Sequence, residues 1–327
     1  MLTQFIPENY STISFPALHF SWDPIREIDI GGILTIRMYG LIIALGLVLA
    51  VIYGVRRANQ FGLKSDDIYD GLLIAVPLSI ICARLYYCAF SWSMYKDDPI
   101  SILYIWNGGL AIYGAVIGAV IAVVIFCRIK KLRLTAVLDI MALGFLIGQC
   151  VGRWGNFFNR EAFGDATDIF LKMGLYNTHT HQVEYYHPTF LYESLWNLAG
   201  FLLLHFLSKK RQYDGQIALG YAAWYGLGRT FIEGLRVDSL YWGTFRVSQI
   251  LGAATCFVAA AILLWQAFLP HDREKLFVNV VARRQTEPPA PEKPAEAEAP
   301  AETEAPAEAE APAEAEAPAE TEATETE

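Results

Sequence analysis

Charge is scarce in this chain: Asp, Glu, Lys and Arg make up 18% of 327 residues, against roughly a quarter in soluble domains, while 54% are hydrophobic. With a mean hydropathy of +0.31, that scarcity excludes an ordinary water-soluble enzyme. Cysteine is also sparse. Cys82, Cys88, Cys127, Cys150 and Cys256 all lie in apolar stretches without CxxC spacing, so neither a disulfide framework nor a zinc site is indicated. His179 and His181 lack a third ligand nearby, and no Asp-rich cluster occurs in the body of the chain. No metal is expected. The opening Met1-Leu-Thr-Gln-Phe-Ile-Pro-Glu carries no basic segment ahead of a short apolar run, so no removable leader is expected and the first long apolar run would direct insertion.

The formal net charge of -9 misleads. Between Glu292 and Glu327 lie 13 of the 34 acidic residues but one of the 25 basic ones, leaving 24 bases against 21 acids elsewhere. The reading is therefore a membrane domain over 1–285 and an acidic Ala/Pro/Glu tail over 286–327, which contains almost nothing that could form a core and is expected to be disordered.

Crossing about 30 Å of hydrocarbon takes roughly 20 apolar residues as helix. Such windows fall near 34–54, 69–90, 108–127, 134–151, 189–208, 216–234 and 246–268. The expected fold class is all-α, a polytopic membrane protein of seven transmembrane helices. Arg56, Arg57 and Lys64 follow the first window, Arg128, Lys130, Lys131 and Arg133 the third, Lys209, Lys210 and Arg211 the fifth, and Arg273, Lys275, Arg283 and Arg284 the seventh. Because basic loops stay cytoplasmic, the N-terminus is expected outside and the C-terminus inside.

That topology gathers polar groups toward the outer leaflet: Tyr39, Arg84, Tyr113, Arg153, Glu193, Arg229 and Glu233. Asp139 stands at the inner start of the fourth window, and the expectation is a structural pairing with a base such as Arg133. The run Gly152-Arg-Trp-Gly-Asn-Phe-Phe-Asn-Arg-Glu-Ala-Phe-Gly164 sets two arginines, two asparagines and a glutamate after a long apolar helix. Arginine matches phosphate oxygens bidentately, and glycine lets backbone N–H groups approach the same anion. An anion site in a membrane is the reading, with a solvated loop as the plainer alternative.

Arg229 and Glu233, at i and i+4 in Gly226-Leu-Gly-Arg-Thr-Phe-Ile-Glu-Gly-Leu-Arg236, share a helix face. Either they form a pair that anchors the helix, or Arg229 joins Arg153 on one phosphate while Glu233 orients an arginine or accepts a proton. His187-Pro-Thr-Phe-Leu-Tyr-Glu193 opens the fifth window and aims Tyr192 and Glu193 into the bundle. His187 reads equally as a hydrogen-bonded structural residue, Tyr39 and Tyr113 as members of an aromatic belt, and Gly114 as a point of helix packing.

These residues resemble the bacterial prolipoprotein diacylglyceryl transferase family. Its signature, Gly-Arg-x-Gly-Asn-Phe-x-Asn-x-Glu-x-x-Gly, is met at Gly152, Arg153, Gly155, Asn156, Phe157, Asn159, Glu161 and Gly164. The likeness spans about residues 15–270 through Arg37-Met-Tyr-Gly40, Trp106-Asn-Gly-Gly-Leu-Ala-Ile-Tyr-Gly114, His187 to Glu193 and Arg229 to Glu233.

The resemblance implies transfer of the sn-1,2-diacylglyceryl group of phosphatidylglycerol to the lipobox cysteine of a prolipoprotein signal peptide. The products are a thioether and sn-glycerol 1-phosphate, made in the bacterial inner membrane by a site facing the outer leaflet. It casts Arg153, Arg229, Glu233, Glu161 and Asn156 as catalytic, and Arg153, Tyr39, Tyr113, Gly114, Asn159, Gly164, His187 and Glu193 as substrate-binding. No cofactor, metal or nucleic acid is implied. Some relatives carry histidine, cast as a base, where this chain has Tyr113, and tyrosine, with an ordinary pKa near 10, fits that part poorly. Glu161, Glu193 and Glu233 remain open as the group that takes the thiol proton.

Overall fold

A computed structural model describes residues 9–31, 34–105, 108–236, 241–242 and 245–286. The acidic tail, and Trp106 and Asn107 of the quoted motifs, lie outside the described residues. Among the described residues eight α-helices follow one another: α1 (Met38–Arg57), α2 (Ser65–Phe90), α3 (Ile112–Ile129), α4 (Leu134–Asn159), α5 (Thr189–Ser208), α6 (Gln216–Ile232), α7 (Val247–Ala267) and α8 (Phe277–Thr286). Six of them, α1 to α5 and α7, are long and apolar enough to cross a membrane. α6, at 17 residues, is about 26 Å long and falls just short of the hydrocarbon thickness.

Small residues bring these helices together, because lipid offers apolar side chains no reason to leave it and close backbone approach must supply the attraction. Gly46 of α1 lies on Gly148 of α4, where a Cβ would sit 3.3 Å from the Gly148 carbonyl oxygen. Gly226 of α6 meets Gly252 of α7, and Gly118 of α3 leaves room for Leu78, Ser79 and Cys82 of α2. Gly114 belongs to the same class, since a side chain there would strike the Cys82 carbonyl.

Two features correct the sequence reading. The protein is mostly helical but not all-α. Strands β1 (Tyr10–Phe15), β2 (Phe20–Trp22), β3 (Glu27–Ile30), β4 (Leu34–Arg37), β5 (Met173–Asn177), β6 (Gln182–Tyr186), β7 (Tyr241–Trp242) and β8 (Phe245–Arg246) form a four-stranded antiparallel sheet ordered β2-β1-β5-β6 and two hairpins, β3-β4 and β7-β8. The stretch between the fourth and fifth windows thus contains the β5-β6 hairpin. Its inward residues, with Ile13 and Phe15, cover Phe157, Phe163 and Phe190 in a second core above α4 and α5. Glu184 accepts hydrogen bonds from Tyr186 (2.6 Å), Tyr10 (2.9 Å) and Asn177 (3.0 Å). Burial pushes its carboxyl up, but those three donors together hold it below the usual carboxylate range.

The second correction concerns Asp139, which does not pair with Arg133. Its side chain is wholly buried on α4 and accepts the backbone N–H groups of Gly215 (2.8 Å), Ile217 (2.9 Å) and Ala218 (2.8 Å). A helix leaves its first four N–H groups without internal partners. Asp139 is therefore the cap of α6, supplied by another helix. Arg133 pairs with Asp214 (2.7 Å) instead, and also donates to the Lys275 carbonyl.

Candidate active site

The signature is helical almost to its end. α4 runs eight residues past the predicted boundary, so Arg153 and Asn156 project from its last turns, and the chain leaves the helix at Arg160 in a left-handed conformation (φ 54°). Arg160 is buried and structural: it holds Asp23 and the Ser11, Phe158 and Pro24 carbonyls, tying the N-terminal segment to the end of α4. Arg84, placed by the sequence among the converging polar groups, is likewise a clasp. Its guanidinium donates to five backbone carbonyls, those of Ser101, Ile102, Tyr104, Gly108 and Gly109.

Between α1, α2, α3 and α4 lies an apolar cavity of about 690 Å³. α2 and α3 pack on each other and α1 on α4, but the two pairs touch little, which leaves this space between them. Ile43, Leu47, Leu72, Ala75, Met141 and Phe145 are among its walls, and Tyr39, Arg153 and Asn156 close one end. Tyr39 reaches that end because Gly155 leaves its ring room against α4. The cavity has the character of an amphiphile's site, long and oily with a cation at its mouth.

Beside that mouth three guanidiniums converge on one carboxylate. Glu193, in the first turns of α5, meets Arg153 (Nη2 to Oε2, 2.5 Å), Arg229 (Nη1 to Oε1, 3.7 Å) and Arg236 (Nη1 to Oε1, 3.5 Å). Its side chain is 7% exposed, whereas Arg153 and Arg229 are 22% and 19% exposed. Arg229 also pairs with Glu233 at 2.5 Å across one helical turn. Asn156 links two further members of the signature: its amide donates to Glu161 (2.9 Å), and its oxygen accepts from Arg153 Nη1 (3.4 Å).

Three joints hold this geometry. Ser194, next to Glu193, donates to the Cys150 carbonyl (2.9 Å) and accepts from the Trp154 indole (3.2 Å), which fixes the start of α5 against the end of α4. Trp196 and Trp224 stack with ring centroids 4.4 Å apart, and each indole N–H donates to the other's carbonyl, at 3.0 and 2.9 Å. That clasp sits one turn from Glu193 and beside Gly228, whose lack of a side chain admits the Trp196 ring. Gly164 forms the third joint: its N–H donates to the His187 carbonyl (2.9 Å), it bridges to Arg236, and a Cβ would press on His187 and the Leu235 carbonyl.

The sequence-predicted residues thus divide. Arg153, Asn156, Glu161, Glu193, Arg229, Glu233 and Tyr39 come together. Gly164 and His187 form their frame, with His187 Nδ1 3.3 Å from the Tyr192 hydroxyl. Asn159 ends α4, half-buried. Tyr113 is 58% exposed and faces Tyr86, and neither it nor Gly114 lines the cavity or touches the arginines. Sequence reasoning passed over Arg236, although its position two turns beyond Arg229 was a usable signal. It also passed over Arg246, which donates to the Glu233 carbonyl from across the β7-β8 hairpin.

Known proteins resemble this chain over most of its length. A family model described as prolipoprotein diacylglyceryl transferase matches residues 27–265. The chain belongs to that family. A protein of Listeria monocytogenes serotype 4a (strain HCC23) is 42% identical over 271 residues, covering 80% of this chain and 97% of its own length. One from Limosilactobacillus reuteri (strain DSM 20016) is 47% identical over 242 residues, 72% of this chain and 88% of its own. Ligilactobacillus salivarius (strain UCC118) contributes a third, 44% identical over 241 residues, 71% and 90% respectively. All three are named phosphatidylglycerol–prolipoprotein diacylglyceryl transferase. The chain is accordingly a multi-pass membrane transferase of lipoprotein biosynthesis.

Proposed function

We propose that the chain moves the sn-1,2-diacylglyceryl group of phosphatidylglycerol onto the lipobox cysteine of prolipoproteins, leaving a thioether and sn-glycerol 1-phosphate. The observation that carries this reading is the meeting of Arg153 and Arg229 on one carboxylate at the mouth of an apolar cavity. Two arginines near enough to share a carboxylate are near enough to share a phosphate, and the cavity behind Arg153 suits acyl chains. The substrate's sulfur attacks the glyceryl carbon that bears the phosphate, the C–O bond breaks, and the guanidiniums stabilise the charge gathering on the departing group. The enzyme's own cysteines take no part. Positive charge comes from arginine, so turnover is expected to persist in a chelator.

In the same reading α6 completes a seventh crossing with the turn that follows it, the N-terminus faces outward, and the arginines open toward the outer leaflet of the bacterial inner membrane. The basic ends of α1, α3 and α5 support that orientation. The acidic tail would then be cytoplasmic. The test is purified protein with phosphatidylglycerol and a lipobox peptide, following labelled diacylglyceryl on the peptide and glycerol phosphate in solution. Arg153→Lys and Arg229→Lys should each lower turnover by about 100-fold or more, since an ammonium does not reproduce the guanidinium fork. Unchanged turnover in both, or label on a peptide whose cysteine is serine, would refute the assignment.

A further inference from the structure

Glu193 has a place that the reaction as described above does not explain. A phosphate held by Arg153 and Arg229 competes with Glu193 for them, since Arg153 Nη2 and Arg229 Nη1 both turn toward that single carboxylate. The other two carboxylates stand differently. Glu233 pairs with Arg229 one turn along the same segment, while Glu161 holds the Asn156 amide and through it orients Arg153. Glu193 alone among these three bridges separate elements, α4 on one side and the end of α6 with Arg236 on the other.

Charge makes the same distinction. At the hub, Arg153, Arg229 and Arg236 face Glu193 and Glu233, three cations against two anions, an excess that complements one phosphodiester. In this arrangement both oxygens of Glu193 face guanidiniums, Oε2 toward Arg153 and Oε1 toward Arg229 and Arg236. Tyr113 is exposed, packs against Tyr86 and has an ordinary phenol's weak basicity, so the proton on the incoming thiol needs an acceptor from elsewhere.

Resting on the transferase reading, we propose that Glu193 is a resident counter-anion which the lipid phosphate displaces from Arg153 and Arg229, and which, once displaced, accepts the proton of the substrate thiol. The lipid thereby switches on the base. Atoms and electrons balance without a co-reactant. The S–H proton passes to a Glu193 oxygen, sulfur forms its bond to the glyceryl carbon, and that carbon's bond to oxygen breaks with its electron pair going to the phosphate. The Glu193 proton then passes to the leaving phosphate, and the carboxylate returns to the arginines as glycerol phosphate departs. Charged and titratable groups facing Glu193 are Arg153 from α4, Arg229 and Glu233 from α6 and its following turn, and Arg236 beyond it; Tyr192 and His187 neighbour it along its own chain.

The experiment uses the full chain in nanodiscs with fluorescent phosphatidylglycerol and lipobox peptides bearing cysteine or selenocysteine. Glu193→Gln keeps the shape and removes the charge. It should bind the lipid as tightly as wild type or more tightly, yet transfer to cysteine about 100- to 10,000-fold more slowly, the range for a lost general base. Its residual rate should climb about tenfold per pH unit toward the free thiol's value near 8.5. Selenocysteine, which arrives already ionised, should restore most of the lost rate.

Wild type supplies a readout independent of how the variant folds: its selenocysteine-to-cysteine rate ratio should stay level between about pH 6.5 and 8.5, because the enzyme removes the thiol proton itself. A wild-type ratio that rises about tenfold for each unit of acidification would overturn the proposal, as would a Glu193→Gln variant that loses lipid binding in step with rate. Failure of wild type to label the cysteine peptide at all would instead strike the transferase reading.

Discussion

Asp139 offers the sharpest test of how the bundle holds its site. Replacing it by alanine removes the acceptor of three backbone N–H groups at the start of α6, all within 2.9 Å of the carboxylate and shielded from water. Losing an N-cap costs about 0.5–2 kcal/mol, and each buried donor left unsatisfied costs about 1–3 kcal/mol. Water entering the gap would recover part of this, so about 3–5 kcal/mol is the reasoned loss. At about 2–4 °C per kcal/mol for a chain of this size, the unfolding midpoint should fall by about 6–20 °C. Asp139→Asn should fall about halfway, because an amide oxygen still serves Ile217 and Ala218 while its nitrogen confronts the Gly215 N–H.

The assay is thermal unfolding in detergent followed with a thiol-reactive dye, which reports Cys88 and Cys127 as they leave the core. A double-mutant cycle separates the cap from the ion pair that the sequence suggested. Arg133 contacts Asp214 and not Asp139, and its side chain is 41% exposed, so the two substitutions should add within about 0.5 kcal/mol. A coupling above about 1 kcal/mol between Asp139→Ala and Arg133→Ala, or an Asp139→Ala midpoint equal to that of wild type, would refute the assignment of Asp139 as the cap.

Gly114→Ala should destabilise the α2–α3 pair, seen as a lower midpoint in the same assay, whereas Tyr113→Phe should leave transfer within about twofold, because the residue is exposed and outside the cavity; a large loss from Tyr113→Phe would restore a role for its hydroxyl. Glu184, whose carboxyl is held below its ordinary range by its three donors, adds stability to the sheet that is present above the unfolded value near 4.3 and is lost as pH falls through the folded one. Amide exchange in β5 and β6 should therefore quicken below about pH 4 in wild type, and Glu184→Gln should show weak sheet protection at every pH rather than that acid-dependent change.

Apolar length alone located α1 to α7 but not the short α8, and α5 begins and ends where its window does, since Pro188 and the basic residues after Ser208 mark its limits in composition. The end of α4 was not legible. The fourth window stops at Val151 because glycines and polar side chains follow, yet Tyr39 against Gly155 and Trp154 on Ser194 keep the chain helical through tertiary contacts that no local pattern records. The sheet was hidden for a related reason. β1 pairs with β5 through contacts such as Ile13 with Leu175, more than 150 positions apart, and neither strand carries a long alternation of its own.

At the site, residue type and depth named Arg153, Glu193 and Arg229 correctly as neighbours but not their arrangement, because Glu193 is 40 positions from one and 36 from the other. Asp139 was assigned to the nearest base along the chain. Backbone donors of a distant helix are invisible to that kind of pairing, as are the five carbonyls that engage Arg84.

The cap on α6 turns that helix into a gauge. Asp139 and Arg153 stand 14 positions apart on α4, and Ile217 and Arg229 stand 12 apart on α6, rises of about 21 and 18 Å. One end of each is pinned by the carboxylate and the other meets Glu193, so the two spacings are matched lengths. Removing one residue between Ala218 and Arg229 would turn the guanidinium by about 100° and draw it back by about 1.5 Å, swinging it away from its partner while the cap stayed seated. Chains built to this plan have little freedom to vary how many residues α6 holds between its cap and its arginine.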